Sequence, residues 1–406
     1  MSNSDDNYQL LDAIKNAYEL SEIEEFESIS TDEEELLKRE DAQPTEVYRS
    51  GFRVLAGGER YFLKRVSNSF EEKPLIASEK FLVWTNDRDL QLAPELRRTV
   101  DKETHVVFED SRYQLFKFVD QNSRKIWMSA NVSEADCRLS GATLARLHLA
   151  GLEYLDLSLK SVDDQWAGSY LPSVQKAWDA VGERLTGDDA QHKRAAELLQ
   201  ADYSTLSDKL ATCLSNLQSE AAGQETAPVE NEEILVHGDY HPGNVLLPAD
   251  DETSKRAYVV DFDHMHMEHP LYDLSYALIM FARSPVEGSG EKTDSLLWQQ
   301  KFDLHLAESF LDSYFAVVAA LPPYSDRVVA FKKSLTSERA ARNLTDYLTV
   351  SCYLILDWAV EKLVLGPLQF SEVYAELIGV TKRLVLDEPL GNLDEVWSKT
   401  LNKYVI

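Results

Sequence analysis

The sequence contains few cysteines and no feature of a secreted protein. Its three cysteines, Cys137, Cys213 and Cys352, lie far apart and form no CxxC pair. This spacing argues against a disulfide framework and against a zinc site built from thiolates. The first ten residues are polar and acidic, whereas a signal peptide has a basic region followed by an apolar one. We therefore expect a cytoplasmic protein.

Long apolar runs are also missing. The longest apolar stretches span residues 315–321 and 347–365, and Asp357 and Glu361 interrupt the second. A membrane-spanning helix needs about 20 consecutive, predominantly apolar residues. The sequence therefore predicts no membrane span and no membrane partner.

Basic residues are scarce relative to acidic ones. The chain has 41 lysines and arginines against 70 aspartates and glutamates, which gives a formal net charge of −29. Nucleic acids are bound by clustered Lys and Arg side chains, so no nucleic-acid partner is expected. A nucleotide can still be held by a divalent metal, backbone N–H groups and a few local cations. The acidity serves either solubility or the attraction of a cationic substrate.

The length of the chain predicts two lobes around a cleft. Residues 1–45 are predicted to form an acidic helical segment, because Ser30 and Glu33 match a helix capping box. Residues 46–120 are predicted to form a small lobe with one helix and a β-rich pattern. Its strands are expected at 46–55, 60–66, 103–109 and 113–119, and its helix at 74–86.

The remainder, residues 121–406, is predicted to be a mostly helical large lobe. A helix is expected at 133–150, and a helical insertion at 153–230 is expected to cover the substrate side of the cleft. Aromatic residues in these helical patterns are predicted to pack in the core or, alternatively, to form a substrate wall that attracts cations. They are Trp166, Trp178, Tyr347, Tyr353 and Trp358.

Two short motifs carry the chemistry. Residues 234–247 read as an apolar strand, a polar turn containing Asp239 and Asn244, and a second apolar strand. The Asp-x-x-x-x-Asn spacing matches a kinase catalytic loop. A further apolar strand ends at Asp261 and Asp263, where carboxylates are well placed for Mg²⁺. Either motif alone could be a simple turn or strand cap, but the two in this order indicate phosphoryl transfer.

A third segment, Pro-Leu-Tyr-Asp-Leu-Ser-Tyr at 270–276, completes a resemblance. With His-Gly-Asp-Tyr-His-Pro-Gly-Asn at 237–244 and Val-Val-Asp-Phe-Asp at 259–263, the chain resembles the aminoglycoside phosphotransferase/choline kinase superfamily. The resemblance covers roughly residues 46–360. It implies a bilobal, protein-kinase-like α+β fold and a small-molecule kinase that uses ATP or GTP with Mg²⁺. The acceptor is expected to be a hydroxyl of a small metabolite or antibiotic, with an amine as an option, and the protein a monomer or homodimer.

The resemblance also implies roles in the large lobe. Asp239 is expected to be the catalytic base or a carboxylate that orients the substrate, with His237 supporting its loop. Asn244 and Asp261 are expected to bind the metal, and Asp263 either to bind a second metal or to brace the loop. Asp273, which could otherwise be a helix N-cap, is expected to be a buried anchor of the catalytic loop.

In the small lobe, Lys64 resembles the strand lysine that reaches the nucleotide phosphates, whereas Arg65 points to the other face. Glu79 is the expected acidic partner of Lys64, with Glu71 and Glu72 as substitutes. The segment around Phe116 and Phe118, leading into residues 120–121, resembles the hinge that receives the adenine. The sequence lacks a GxGxxG loop, so the residues that cover the phosphates are not predicted.

Three alternatives remain open. His264, His266 and His269 could form a transition-metal site, although no further ligand cluster is evident. The chain could be a catalytically silent nucleotide-binding or scaffold protein on the same fold, which intact Lys64 and Asp239 argue against. A protein kinase is the weakest alternative, because no Gly-rich loop and no activation segment are recognisable.

Overall fold

The structure, a computed structural model, describes eleven segments of the chain. They are residues 4–29, 51–66, 72–119, 132–157, 170–222, 233–247, 256–285, 300–337, 340–366, 371–386 and 392–404. Together they form a bilobal α+β protein, with one sheet-based lobe and one mostly helical lobe.

The small lobe is built on a five-stranded antiparallel sheet in the order β1-β2-β3-β5-β4. Its strands are Ile23–Ile29 (β1), Gly51–Ala56 (β2), Glu59–Val66 (β3), Val106–Phe108 (β4) and Ser111–Lys117 (β5), and its helices are Ser4–Ala17 (α1) and Glu72–Asp87 (α2). The predicted β-hairpin and the single helix between β3 and β5 are confirmed.

Strand alternation decides which side chains of the sheet face the cleft. Leu63 and Leu115 lie opposite each other on β3 and β5 and pack with Ile14 of α1 in one buried cluster. Successive side chains of a strand point to opposite faces. The next pair, Lys64 and Gln114, therefore lies on the face away from α1.

The prediction of a helical segment over residues 1–45 is wrong for residues 23–29. These residues form β1, the edge strand paired with β2, and Phe26 stacks on Phe52 with ring centroids 4.6 Å apart. Tertiary pairing overrides the local charge pattern, and one of the acids, Glu27, lies 3.3 Å from Arg53 across the strands. Ser30 and Glu33 lie outside the described residues.

The large lobe contains ten described helices. They are Glu134–Leu157 (α3), Leu171–Arg184 (α4), Ala190–Leu199 (α5), Tyr203–Ala222 (α6), Pro270–Phe281 (α7), Leu304–Ala320 (α8), Asp326–Thr336 (α9), Ala340–Leu365 (α10), Ser371–Leu386 (α11) and Leu393–Leu401 (α12). No helix of the described segments is long and apolar enough to cross a membrane.

The helical insertion starts later than predicted, since residues 153–157 belong to α3. Its helices α4–α6 pack against α10, and Arg184 bonds both Asp357 at 2.7 Å and Glu361 at 3.0 Å. Trp178 and Tyr353 are fully buried and in edge-to-face contact, so these two aromatics belong to the core. Trp166 lies outside the described residues.

The large lobe also contains six short strands in its described part. They are Ile234–Val236 (β6), Val245–Leu246 (β7), Tyr258–Val259 (β8), His266–Glu268 (β9), Arg283–Pro285 (β10) and Gln300–Phe302 (β11). β6 pairs with β9 and β7 with β8. These pairings bring the turn after β6 next to the turn after β8, and both turns carry predicted site residues.

Candidate active site

The turn after β6 contains one position, Gly238, where any residue with a Cβ would be strained. Gly238 has a φ of +83°, a region that L-residues with a Cβ avoid, and a Cβ at this position would stand 2.2 Å from the carbonyl oxygen of His264. This close approach packs the first turn directly on the second. After it, Pro242–Asn244 forms one turn of 3₁₀ helix that returns the chain to β7.

Asp239 lies at the bend of this turn with both carboxylate oxygens engaged. Tyr276 Oη donates to Oδ1 at 2.9 Å, and Asn244 Nδ2 donates to Oδ2 at 3.1 Å. His241 Nε2 lies 3.3 Å from Oδ2. Burial acts to raise the pKa of Asp239, but the charge and hydrogen bonding of His241 outweigh it and hold this pKa well below its usual range. The group is therefore an ionised carboxylate, which accepts hydrogen bonds.

The His237 ring is buried, and among the described residues both of its nitrogens bond backbone groups. Its Nδ1 accepts from the N–H of Asp239 at 3.2 Å, and its Nε2 lies 3.0 Å from the carbonyl oxygen of Val260. Burial lowers the pKa of His237, which agrees with a neutral ring that accepts at Nδ1 and donates at Nε2. The ring thus links the turn that carries Asp239 to the strand end before Asp261.

Asp273 is the buried anchor of the turn that carries Asp239, as predicted. Its Oδ2 accepts from the N–H of His237 at 2.6 Å and its Oδ1 from the N–H of Gly238 at 2.9 Å. The N-cap of α7 is His269, so Asp273 is not that cap. Burial alone would raise the pKa of Asp273, but the hydrogen bond and charge of His148 hold it low.

Asp261 and Asp263 follow β8 and share one cation. Lys64 Nζ lies 2.8 Å from Asp261 Oδ1 and 2.6 Å from Asp263 Oδ1. Asp261 adopts a left-handed backbone, with φ of 66° and ψ of 67°. Such a conformation costs a non-glycine residue about 1–3 kcal/mol and is concentrated at functional sites. The structure thus brings together a small-lobe lysine and two large-lobe acids that are far apart in the sequence.

The two acids determine the charge state of Lys64. Burial would lower the pKa of Lys64, but the charges of Asp261 and Asp263 raise it above its ordinary value. Burial likewise opposes ionisation of Asp261, and Lys64 outweighs it, so the pKa of Asp261 is lowered. The site therefore holds a fixed positive charge between two carboxylates.

The residues predicted to bind Mg²⁺ fit that ion by their donor set. Asn244 is buried, and its Nδ2 donates to Asp239, which leaves the amide oxygen without a hydrogen bond from any described residue. An amide oxygen and carboxylates are the ligands that Mg²⁺ prefers. The ammonium group of Lys64 shows that the space between Asp261 and Asp263 accepts a cation.

The predicted pairing of Glu79 with Lys64 is wrong for this structure. Among the described residues, Glu79 accepts instead from Gln114 Nε2 at 2.8 Å and from the Thr104 hydroxyl, with His105 Nδ1 at 3.3 Å. Gln114 lies opposite Lys64 on β5 and donates a hydrogen bond to the Glu79 carboxylate. Lys64 instead contacts both Asp261 and Asp263. Of the substitutes, Glu72 is exposed and lies 3.4 Å from Arg112, and Glu71 lies outside the described residues.

The backbone near Phe116 and Phe118 is only partly available to a nucleotide base. The N–H of Lys117 donates to the carbonyl of Glu95 and the N–H of Phe118 to that of Arg60, at 2.8 Å and 3.0 Å. These two donors are therefore occupied within the protein. The Phe118 ring has two guanidinium groups within 5.5 Å of its centroid, from Arg53 and Arg60. Residues 120–121 lie outside the described segments.

The three histidines after Asp263 make separate contacts. His266 Nδ1 bonds the carbonyl of His264 at 2.8 Å, and His269 Nδ1 caps α7 by accepting from the N–H of Leu271. The described part of the chain contains no group of three His, Cys, Asp or Glu side chains placed to hold a metal ion.

Sequence reasoning did not identify three residues that support the site. They are Tyr276, which bonds Asp239, and the buried pair His148 and Tyr314, in which His148 Nε2 lies 3.2 Å from Asp273 Oδ2 and Nδ1 lies 2.8 Å from the Tyr314 hydroxyl. The sequence could have identified Tyr276, because it lies three residues after Asp273 and therefore on the same face of α7. His148 and Tyr314 lie on separate helices, and no sequence pattern connects them to Asp273.

The sheet lobe carries Lys64, and the helical lobe below it carries Asp239, Asn244 and Asp261. This arrangement defines a phosphotransferase of the protein-kinase-like class, one that acts on hydroxyl acceptors. The chain belongs to the phosphotransferase enzyme family (APH), whose model matches residues 46–323, more than half of the chain. The resemblance drawn from the motifs is thereby confirmed. A comparison with curated proteins finds no match.

Solved structures confirm the fold. The chain resembles a spectinomycin phosphotransferase in complex with ADP and spectinomycin at a TM-score of 0.55 and 14% identity, covering 97% of this chain and 98% of that one. It resembles an amicoumacin kinase at a TM-score of 0.57 and 14% identity, with 95% of both chains covered. A microcompartment-associated aminopropanol kinase gives a TM-score of 0.54 and 14% identity, covering 93% and 97%.

Proposed function

We propose that this phosphotransferase transfers the γ-phosphoryl group of ATP or GTP, with Mg²⁺, to a hydroxyl of a small metabolite or antibiotic, including amine-bearing ones. The observation that carries the proposal is the packing of two turns, one with the ionised Asp239 bonded to Asn244 and the other following the acids that hold Lys64. The similar spectinomycin phosphotransferase is in complex with ADP and spectinomycin, and the similar amicoumacin kinase with AMP-PNP, Ca²⁺ and Ami. These complexes support a nucleotide and a small acceptor.

The proposed reaction assigns each residue one task. The acceptor hydroxyl donates to Asp239, its oxygen attacks the γ-phosphorus, and the bond from that phosphorus to the bridging oxygen breaks. The proton passes to Asp239 and the nucleoside diphosphate leaves. Asn244, Asp261 and Asp263 would hold Mg²⁺, which neutralises charge on the phosphate groups.

The remaining assignments complete the proposal. Lys64 and the hinge around Phe116 and Phe118 serve the nucleotide within the small lobe, to which α1 and β1 also belong. The large lobe, residues 121–406, supplies the acceptor side, covered by the insertion helices α4–α6. The protein acts in the cytoplasm as a monomer or homodimer.

The test is a phosphoryl-transfer screen with mass detection of the product. Amino alcohols, sugars and aminocyclitol antibiotics serve as acceptors, each with Mg·ATP and Mg·GTP. Asp239→Asn should lower kcat by roughly 10²–10⁴-fold and leave nucleotide affinity intact. The control, Asp101→Asn, changes an exposed aspartate outside the site. Nucleotide binding without transfer to any acceptor would favour the silent scaffold instead.

A further inference from the structure

The hydroxyl of Tyr276 contacts the proposed base directly. Tyr276 Oη lies 2.9 Å from Asp239 Oδ1, on a side chain that packs against the main core. Burial raises the pKa of Tyr276, and so does the charge of Asp239. The phenol is therefore a neutral donor, and Asp239 is its acceptor.

The other oxygen of Asp239 faces different neighbours. Oδ2 accepts from Asn244 Nδ2 at 3.1 Å, and His241 Nε2 lies 3.3 Å from it. A carboxylate oxygen offers about two lone-pair positions. Among the described residues, Oδ2 therefore has a neighbour for each of its two positions, whereas Oδ1 has a neighbour, Tyr276, for one of its two.

Tyr276 lies on the helix that also anchors the catalytic turn. Asp273, three residues earlier, accepts from the N–H groups of His237 and Gly238. Residues three apart share a helix face. One face of α7 thus holds both the backbone before Asp239 and the Asp239 carboxylate.

We propose that Tyr276 is a positioning residue, which fixes the orientation of the Asp239 carboxylate and so directs the acceptor hydroxyl to the open position on Oδ1. The effect on transfer rests on the proposed function, whereas the effect on carboxylate orientation does not. Without the phenol, Asp239 keeps its charge and its bond to Asn244, but one oxygen loses its fixed partner. A reacting group held less precisely lowers the rate even when binding is retained.

The test compares Tyr276→Phe with a matched variant, Tyr353→Phe. Tyr353 on α10 also donates from a buried phenol, but to the carbonyl of Leu206 and not to a residue of the site. The first measurement is a crystal structure of the wild type and of each variant. Tyr276→Phe should rotate or disorder the Asp239 carboxylate, and Tyr353→Phe should leave it in place. An unchanged, ordered carboxylate in Tyr276→Phe overturns the proposal, whether or not the enzyme transfers phosphate.

The second measurement is kinetic and uses the acceptor found in the screen, with water as a second acceptor. Tyr276→Phe should lower kcat for transfer by roughly 10- to 100-fold, leave the nucleotide KM unchanged, and raise the ratio of nucleotide hydrolysis to transfer. Loss of folded enzyme would lower hydrolysis and transfer in parallel, and that result would reject the positioning role. If the wild type transfers to no acceptor, the proposed function fails, and the crystal structures alone decide the role of Tyr276.

Discussion

Lys64 in the small lobe and Asp263 in the large lobe lie 2.6 Å apart, with side chains only 12% and 8% exposed. The same ammonium group contacts Asp261 at 2.8 Å. Because the pair with Asp263 is shielded from water, it is weakly screened by salt. This ion-pair cluster links the two lobes across the cleft and stands where phosphates and Mg²⁺ are proposed to bind.

Lys64→Met should therefore weaken two properties. It leaves Asp263 buried without its cation, so the free energy of unfolding should fall by about 2 kcal/mol. ATP affinity should fall at least about tenfold, since a phosphate-binding charge is lost. Urea unfolding and calorimetric titration with ATP measure the two effects.

The neighbouring variant Arg65→Met is the control for Lys64→Met. Arg65 lies on the opposite face of β3 and bonds the Ser111 hydroxyl at 2.8 Å and 3.0 Å. ATP affinity should not change in this variant. If Lys64→Met binds ATP as the wild type does, the phosphate-binding role of Lys64 is wrong.

Asp261→Asn should remove most of the Mg²⁺-dependent stabilisation by ATP. Asparagine tolerates the left-handed backbone of this position better than alanine, so the fold should persist while one ligand charge is lost. Thermal unfolding with ATP, with and without Mg²⁺, is the measurement. Asp89→Asn is the control, because Asp89 also has a positive φ, of 51°, but is exposed outside the site. A full Mg²⁺ response in Asp261→Asn would place the metal elsewhere.

Acidification should destabilise the protein through His266. Burial lowers the pKa of this side chain from 6.5 to about 4, and no described residue bonds its Nε2. The unfolded chain takes up the proton first, so stability is lost as the pH falls from about 6.5 to 4. This single group should cost about 3 kcal/mol over that range.

His266→Asn isolates that contribution. The difference in unfolding free energy between pH 7 and pH 4 should be smaller in this variant than in the wild type. His305→Asn changes an exposed histidine and should leave the difference as it is. An identical pH dependence in the wild type and His266→Asn would show that His266 is not buried in its neutral form.

Much of the site was predictable because short-range spacing determines it. The 237–244 turn and the acids after β8 are close in sequence, and each has a strand that fixes its direction. Asp273 was identified as an anchor and the structure confirms it. Strand alternation alone predicts that Arg65 lies on the face of β3 opposite to Lys64, where it bonds Ser111.

Long-range partner choice was not predictable. Glu79 has a suitable position on α2, but its carboxylate partners are Thr104, just before β4, and Gln114 of β5. The prediction for residues 23–29 was wrong for the same reason, because only pairing with β2 distinguishes this strand from a charged helix. The hydrophobic periodicity of a helix or strand predicts which face is buried, whereas tertiary packing determines which residues that face contacts.

The last prediction concerns the contact between the two catalytic turns. Gly238→Ala would place a Cβ 2.2 Å from the carbonyl oxygen of His264, in the 3₁₀ turn that follows Asp261. Gly58→Ala is the control, because Gly58 also has a positive φ, +75°, with nothing within 4 Å of its Cβ position. Gly58→Ala should cost about 1 kcal/mol from backbone strain alone. Gly238→Ala should cost about 3 kcal/mol, since overpacking adds to the strain, and should lower kcat at least about tenfold by shifting Asp239 relative to Asp261. Chemical denaturation and the transfer assay measure both effects. Equal losses in the two variants would show that the turns do not touch in solution, and that the distance between Asp239 and the metal ligands is set by another part of the fold.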